Sequence, residues 1–108
     1  MAGEYQVVLL PRATEDIDNV LRYLLADYGA AAAENAFRTI QEGLSKIARM
    51  PGARPVYATT ERDTYRSYEA KKYRIVYSVS ESENHVIVIT VRHVRMSREA
   101  ILRAIEEE

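Results

Sequence analysis

The sequence lacks cysteine and tryptophan, and its 108 residues include one phenylalanine, four glycines and three prolines. Without cysteine neither a disulfide framework nor a thiolate metal site can form, which fits a reducing compartment such as the cytoplasm. No stretch approaches the ~18–20 continuous apolar residues of a membrane span. The start, Met1-Ala2-Gly3-Glu4-Tyr5, has neither the basic residues nor the apolar run of a secretory leader. No glycine-rich phosphate loop and no Ser/His/Asp nucleophile pattern occurs. His85 and His93 have no acids at ligand spacing, so the expectation is no metal and no cofactor.

What is present is globular in balance, 47% hydrophobic and 29% charged, at a length that suits one domain, taken as 1–108. Fifteen cations face sixteen acids, a net charge of −1, yet ten of those cations lie between Arg54 and Arg103. A local basic surface in the carboxy-terminal half is therefore expected. A protein that coats nucleic acid is not, because binding phosphate at scale needs net positive charge.

Hydrophobic periodicity divides the chain. Residues 4–10 form a β-prone run stopped by Pro11. From Ala13 the spacing becomes helical, with Ile17, Val20, Leu21, Leu24 and Tyr28 on one stripe, Glu15, Asp16 and Asp18 in the first turns, and Gly29 as the stop. A second helix over residues 30–50 carries Ala33, Phe37, Ile40, Leu44 and Ile47 and ends at Pro51-Gly52. So short a link makes an antiparallel hairpin whose apolar face needs a sheet to cover. Were Phe37 part of that face, Phe37→Ala would cost about 3–5 kcal/mol.

The stretch 53–63 is irregular. Strands are expected at 64–69, 72–79 and 85–93, with a polar turn at 80–84. Alternation points Tyr73, Ile75, Tyr77 and Val79 toward the helices. On the last strand it does the same for Ile87, Ile89, Val91 and His93, and sends Arg74, Thr90 and Arg92 to the other face. Ser97 is placed to cap a final helix with Ala100, Ile101, Ala104 and Ile105 inward. The expected fold is α+β in the order β-α-α-β-β-β-α: an amino-terminal strand, a helix hairpin on a small twisted antiparallel sheet, and a carboxy-terminal helix.

These segments, in this order, resemble the RelE/ParE toxin superfamily of type II toxin–antitoxin systems. The matching residues are Pro11, Ala13, Asp16-Ile17, Tyr23, Tyr28-Gly29, Ala32-Ala33, Ile40, Leu44, Ile47 and Pro51. They continue with Tyr73-Arg74-Ile75-Val76-Tyr77-Ser78-Val79, Val88-Ile89-Thr90-Val91 and His93-Val94-Arg95. The amino-terminal half is closer to the ParE branch. The resemblance implies a cognate antitoxin that wraps the toxin, ParD-like and of ribbon-helix-helix type, in a hetero-oligomer or beside a homodimer. For ParE-like members it implies DNA gyrase as the target. RelE-like members instead cleave mRNA on the ribosome.

Cleaving RNA without a metal requires activating the 2′-hydroxyl, stabilising the phosphate and protonating the leaving oxygen. RelE-like nucleases resemble one another in using lysines on the strand before the Tyr-Arg-Ile-Val-Tyr segment, and a tyrosine or histidine near the carboxy terminus. Here those strand positions read Tyr65, Ser67 and Glu69, Lys71 and Lys72 fall in the turn, and the last helix has neither tyrosine nor histidine. Arg74 does match the sheet arginine. A gyrase-directed, non-catalytic toxin is therefore favoured, with a ribosome-dependent mRNA endonuclease as the alternative. No catalytic residue is expected.

The candidate target-binding residues are Arg74, Arg92, His93, Arg95 and Arg98. Each has a plainer alternative. The arginines would pair with surface acids such as Glu69 and keep the face soluble. His93 would be a half-buried histidine at a strand end, and His85 would be solvated.

Overall fold

Pro11 and Gly29 set the limits of the first helix. In the computed structural model, which describes residues 5–107, helix α1 spans Pro11–Tyr28, with proline in its first turn where a missing N–H costs nothing. Gly29 ends it at a φ of +97°, its N–H reaching the carbonyls of Leu24 and Leu25 at 2.9 and 3.3 Å. Because the helix starts earlier than the periodicity indicates, Glu15, Asp16 and Asp18 lie beyond its first turn, which holds no acid. Helix α2 (Ala30–Arg49) follows directly and ends at Met50, before a 3-10 turn at Pro51–Ala53. Met1 to Glu4 and Glu108, including the expected start of the first strand, lie outside the described residues.

The strands are β1 (Gln6–Leu9), β2 (Val56–Thr59), β3 (Thr64–Ala70), β4 (Tyr73–Ser80) and β5 (His85–His93), and helix α3 is Arg98–Glu106. They form one sheet in the order β1-β5-β4-β3-β2. The architecture is α+β as expected, with two differences. First, β2 arises inside the stretch read as irregular, giving the order β-α-α-β-β-β-β-α. Second, β1 lies parallel to β5 while the other pairs are antiparallel. A parallel pair needs a long crossover, and most of the chain lies between these two strands.

The sheet is covered on both faces. On one, Ala13, Ile17, Ala36, Ile40 and Ile47 of the hairpin bury Ile75, Tyr77, Val86, Val88 and Val91. On the other, Ile101 and Ile105 of α3 bury Tyr65, Val76 and Ile89. Tyr65 and Tyr68 thus lie on opposite faces. The expected inward set on β5 is right for Val91 and wrong for Ile87 and Ile89, which face α3. The reason is a bulge. Val76 pairs with Thr90 and Tyr77 with Val88, so Ile89 is an extra residue and strict alternation fails there.

Helix α2 approaches the sheet through Gly43, where a Cβ would stand 3.0 Å from both the Ala70 Cβ and the Ile75 Cδ1. That close seating selects which residues of α2 are buried. Ala36, Ile40, Gly43 and Ile47 face the sheet, and Phe37 is turned aside at 45% exposure. Tyr28, at the hairpin tip, is exposed as well. Phe37→Ala is therefore expected to cost below about 1 kcal/mol, against about 2–5 kcal/mol for Ile40→Ala. Urea unfolding of the two variants checks this order.

Tyr77 is fully buried, and its hydroxyl donates to the Pro51 carbonyl oxygen. Burial raises its pKa above the ordinary tyrosine value, partly opposed by Arg66 and Arg54. A phenol whose folded pKa is raised favours folding fully below the unfolded value of about 10, and that contribution is lost as pH rises through the folded pKa. Stability should fall above about pH 10, and Tyr77→Phe should flatten that fall in alkaline melting curves.

Candidate functional site

The face of the sheet turned away from the hairpin carries the arginines. Register places Glu69 on β3 beside Arg74 on β4, and Arg74 beside Arg92 on β5, so the three form a row across the sheet. The Glu69 carboxylate accepts from Arg74 at 2.6 Å. Arg98, in the first turn of α3, donates to the Tyr57 carbonyl at 3.1 Å, and its guanidinium sits 4.7 Å from the centre of the Tyr57 ring. Arg74 approaches the same ring at 5.6 Å. Tyr57 thus carries a cation at each of two approaches, an arrangement worth about 0.5–1 kcal/mol per contact at exposed sites. Its hydroxyl is buried and meets no hydrogen-bond partner in the described structure.

Arg92 is held differently. Strand β1 pairs with β5 only as far as Val88, and beyond it the edge of β5 meets α1. The Asp16 carboxylate accepts there from the Val91 N–H at 3.1 Å and from the Thr90 hydroxyl. Arg92 in turn donates its Nε–H to Thr90 Oγ1 at 2.9 Å and lies 3.6 Å from Asp16. Helix α1 therefore fixes the direction of this guanidinium. Ser97 caps one end of α3 by accepting from the Ala100 N–H at 3.1 Å, and Arg98 ties that end to the Tyr57 carbonyl. At the other end Arg62 donates to the Ile105 and Glu106 carbonyls at 3.4 Å, and Arg12 pairs with Glu107.

Of the candidates read from sequence, the fold brings Arg74, Arg92 and Arg98 to this face. His93 is not among them: it is half-buried on the hairpin side, edge-on to Tyr73 with ring centres 6.1 Å apart, and its Nδ1 accepts from Arg95 N at 3.0 Å. Arg95 is exposed in the turn after β5, and His85 lies 3.6 Å from Glu83. Thr90 lies on this face beside Arg92, as alternation indicates, whereas Tyr57 and Asp16 are parts of the face that the sequence reading misses. The signal for Tyr57 was the short β-prone run Val56-Tyr57-Ala58-Thr59 after Pro55. Asp16 had been read as a helix-dipole residue.

Chemically, the face presents guanidinium groups and no free base. Tyr65, Ser67 and Glu69 occupy the β3 positions on this side, and Tyr65 is buried. Among the described residues no group of three or more histidines, cysteines or acids is placed to hold a metal ion. The arrangement is suited to gripping a carboxylate or phosphate.

A family model described as the ParE toxin of the type II toxin–antitoxin system parDE matches residues 7–98. No curated protein sequence matches. The chain is similar in fold to the chromosomal ParDE toxin–antitoxin system from P. aeruginosa, with a TM-score of 0.68, 12% identity, and coverage of 85% of this chain and 98% of that one. It is similar also to a chain of the RelBE2 toxin–antitoxin complex from Mycobacterium tuberculosis, with a TM-score of 0.61, 17% identity and coverage of 86% and 94%. A double-arginine mutant of the E. coli toxin RelE in the free state gives a TM-score of 0.60, 19% identity and coverage of 96% and 97%.

Asp16→Ala would strand the fully buried Thr90 hydroxyl and the Val91 N–H, and is expected to destabilise the fold by about 1–3 kcal/mol. Asp16→Asn keeps an acceptor and should cost less. Equilibrium urea denaturation of both variants gives the comparison.

Proposed function

The chain belongs to the ParE toxin family of type II toxin–antitoxin systems, and from that premise we propose that it is a cytoplasmic, non-catalytic toxin. In this proposal it docks on DNA gyrase through its arginine face and is neutralised by a cognate, ParD-like antitoxin. The docking residues are Arg74, Arg92, Arg95 and Arg98, with His93 as a neighbour behind the sheet rather than a contact. No helix among the described residues is long and apolar enough to cross a membrane.

One observation favours this over a ribosome-dependent endonuclease: the Glu69 carboxylate bonded to Arg74. A nuclease needs a base and an acid around the scissile phosphate. Here a carboxylate occupies the sheet arginine, repels phosphate, and stands on the strand where RelE-like enzymes resemble one another in carrying lysines. The Tyr57 hydroxyl is buried and poorly placed to donate a proton to a substrate. Docking by charge needs neither group.

The test is a gyrase supercoiling and DNA-cleavage titration beside an mRNA-cleavage assay on ribosomes. Inhibition of gyrase without mRNA cleavage is expected, and metal-independent cleavage lost in Arg74→Ala would reverse the choice. Within the gyrase assay, Arg95→Lys should retain inhibition, since Arg95 is exposed. Arg92→Lys should weaken it roughly tenfold, equivalent to about 1.4 kcal/mol, because lysine cannot offer the Nε–H that Thr90 orients. A folded Arg92→Ala/Arg95→Ala protein that inhibits as well as wild type would place the target surface elsewhere.

A further inference from the structure

Strand β2 closes the sheet at one side, and its far edge pairs with no strand among the described residues. Such an edge offers a row of backbone donors and acceptors, which proteins blunt with charge, proline or a bulge. No charge lies between Val56 and Thr60, and Val56 is 52% exposed. Pro55 does not blunt the edge either. Its carbonyl accepts from Ser67 N at 3.2 Å, so the N–H it lacks belongs to the β3 side.

The bulge is there, and it gives β2 a symmetric pattern. Val56 pairs with Arg66 and Thr59 with Thr64, while the register shifts between Val56 and Ala58. Arg66 pairs in turn with Tyr77 of the hairpin core, so Val56 points to the hairpin side. Thr64, two positions before Arg66, puts Thr59 on that side as well. Tyr57 and Ala58 both pack against the cluster beneath α3. The four side chains therefore read hairpin, α3, α3, hairpin. Directly opposed residues of an antiparallel pair share a face. A regular strand alternates and falls out of step at Tyr57 and Ala58. A second copy of β2, turned about a two-fold axis between those two residues, matches throughout, with Val56 opposite Thr59 and Tyr57 opposite Ala58.

The flanks match too. The same register sets Arg54 of each copy opposite Glu61 of the other. Among the described residues neither has an ion-pair partner. Arg54 rests 4.2 Å over the Tyr68 ring with its Nε buried and unbonded, and Glu61 is exposed in the turn after β2.

From this self-complementarity we infer that β2 is a self-association edge: two copies pair antiparallel through Val56–Thr59, with Arg54 and Glu61 bridging the axis at both ends. Two five-stranded sheets then become one. Because opposed residues share a face, both arginine faces lie on the same side of the joined sheet, with the two Tyr57 rings beside the axis. A two-fold target is gripped at two places at once, which raises avidity without any new kind of contact. The pairing itself requires neither gyrase nor antitoxin. A contact of four residues per strand is small, so the dimer is a weak one, with a Kd of roughly 10–100 μM.

Sedimentation equilibrium of the full chain alone, from about 5 to 500 μM, tests the pairing. Wild type should pass from monomer to dimer across that range. Arg54→Glu and Glu61→Arg each set like charges against one another twice and should weaken association about tenfold. Arg54→Glu/Glu61→Arg restores both pairs with the signs exchanged and should return to within about threefold of wild type. A merely structural role for either residue gives no such rescue. Thr60 N donates to the Asp63 carbonyl at 2.9 Å on the β3 side, so the Thr59 N–H points to the free edge. Thr59→Pro should therefore abolish the dimer while leaving the β2–β3 ladder intact. Glu61→Arg, at an exposed turn residue, carries the charge test should Arg54→Glu not fold. A wild-type chain that stays monomeric at about 500 μM overturns the inference. So does a dimer that folded Thr59→Pro and Glu61→Arg leave unchanged, since its interface then lies elsewhere.

Discussion

The Asp16 carboxylate on the edge of β5 is the contact on which the rest of the molecule depends. Strand β1 is only four residues long, and the Leu10 N–H bond to the Val88 carbonyl is its last contribution to β5. Past that point the strand would present unpaired backbone groups, a costly condition inside a fold. Asp16 takes up the Val91 N–H and the Thr90 hydroxyl, and so pins α1 against the sheet at one register. With α1 pinned, Ala13 and Ile17 enter the core, α2 must fold back beside it, and Gly43 allows α2 to seat on β3 and β4. The same carboxylate sits beside Arg92. A structural contact and the aim of a candidate docking residue are thus one interaction.

The bulge at Ile89 gives the two faces their separate characters. Without it, strict alternation would leave Val91 on the α3 face and carry Thr90 and Arg92 to the hairpin side, burying a guanidinium in an apolar core. Burying an unpaired charge there would cost several kcal/mol. The extra residue lets Ile89 pack beneath α3 and Thr90 meet Asp16, while Val91 returns to the hairpin core. The arginines therefore emerge on a face that α3 only partly covers, and Arg98 at the start of α3 joins them over the Tyr57 ring.

Most of this architecture was legible in the sequence because its signals are local. Pro11, Gly29 and Pro51-Gly52 mark the helix ends, the Tyr73 to Val79 alternation marks the strongest strand, and Ser97 marks the start of α3. What escaped depends on contacts between distant segments. Phe37 shares the helical stripe of Ile40 and Leu44, but the close seating through Gly43 rotates it out. The parity of Ile87 and Ile89 was misread because a bulge leaves no mark in hydrophobic periodicity. Strand β2 is too short to stand out beside Pro55 and becomes a strand only by pairing with β3. At the candidate site, the arginines and Glu69 could be placed by parity alone, whereas the link from Asp16 to Thr90 spans more than seventy residues.

Net charge is a weaker guide to partners than the local fields that the fold creates. A net charge of −1 argues against a polyanion only if the charges are mixed, and screening at physiological salt limits each one's reach to about 8 Å. Within that range the arginine face sets Arg74, Arg92 and Arg98 against Glu69 and Asp16, while exposed acids such as Glu15, Asp18 and Asp27 lie along α1. An approaching partner meets one of these surfaces, not the average. The case against a nuclease therefore cannot rest on the sum of charges and rests on what stands beside Arg74. A carboxylate 2.6 Å from the guanidinium neutralises the cation a phosphate would seek and supplies no proton donor. A protein surface that brings its own carboxylate can exchange with Glu69 on even terms, one charge-assisted bond replacing another. On the proposed reading, such an exchange is how Arg74 would select between protein partners rather than grip RNA.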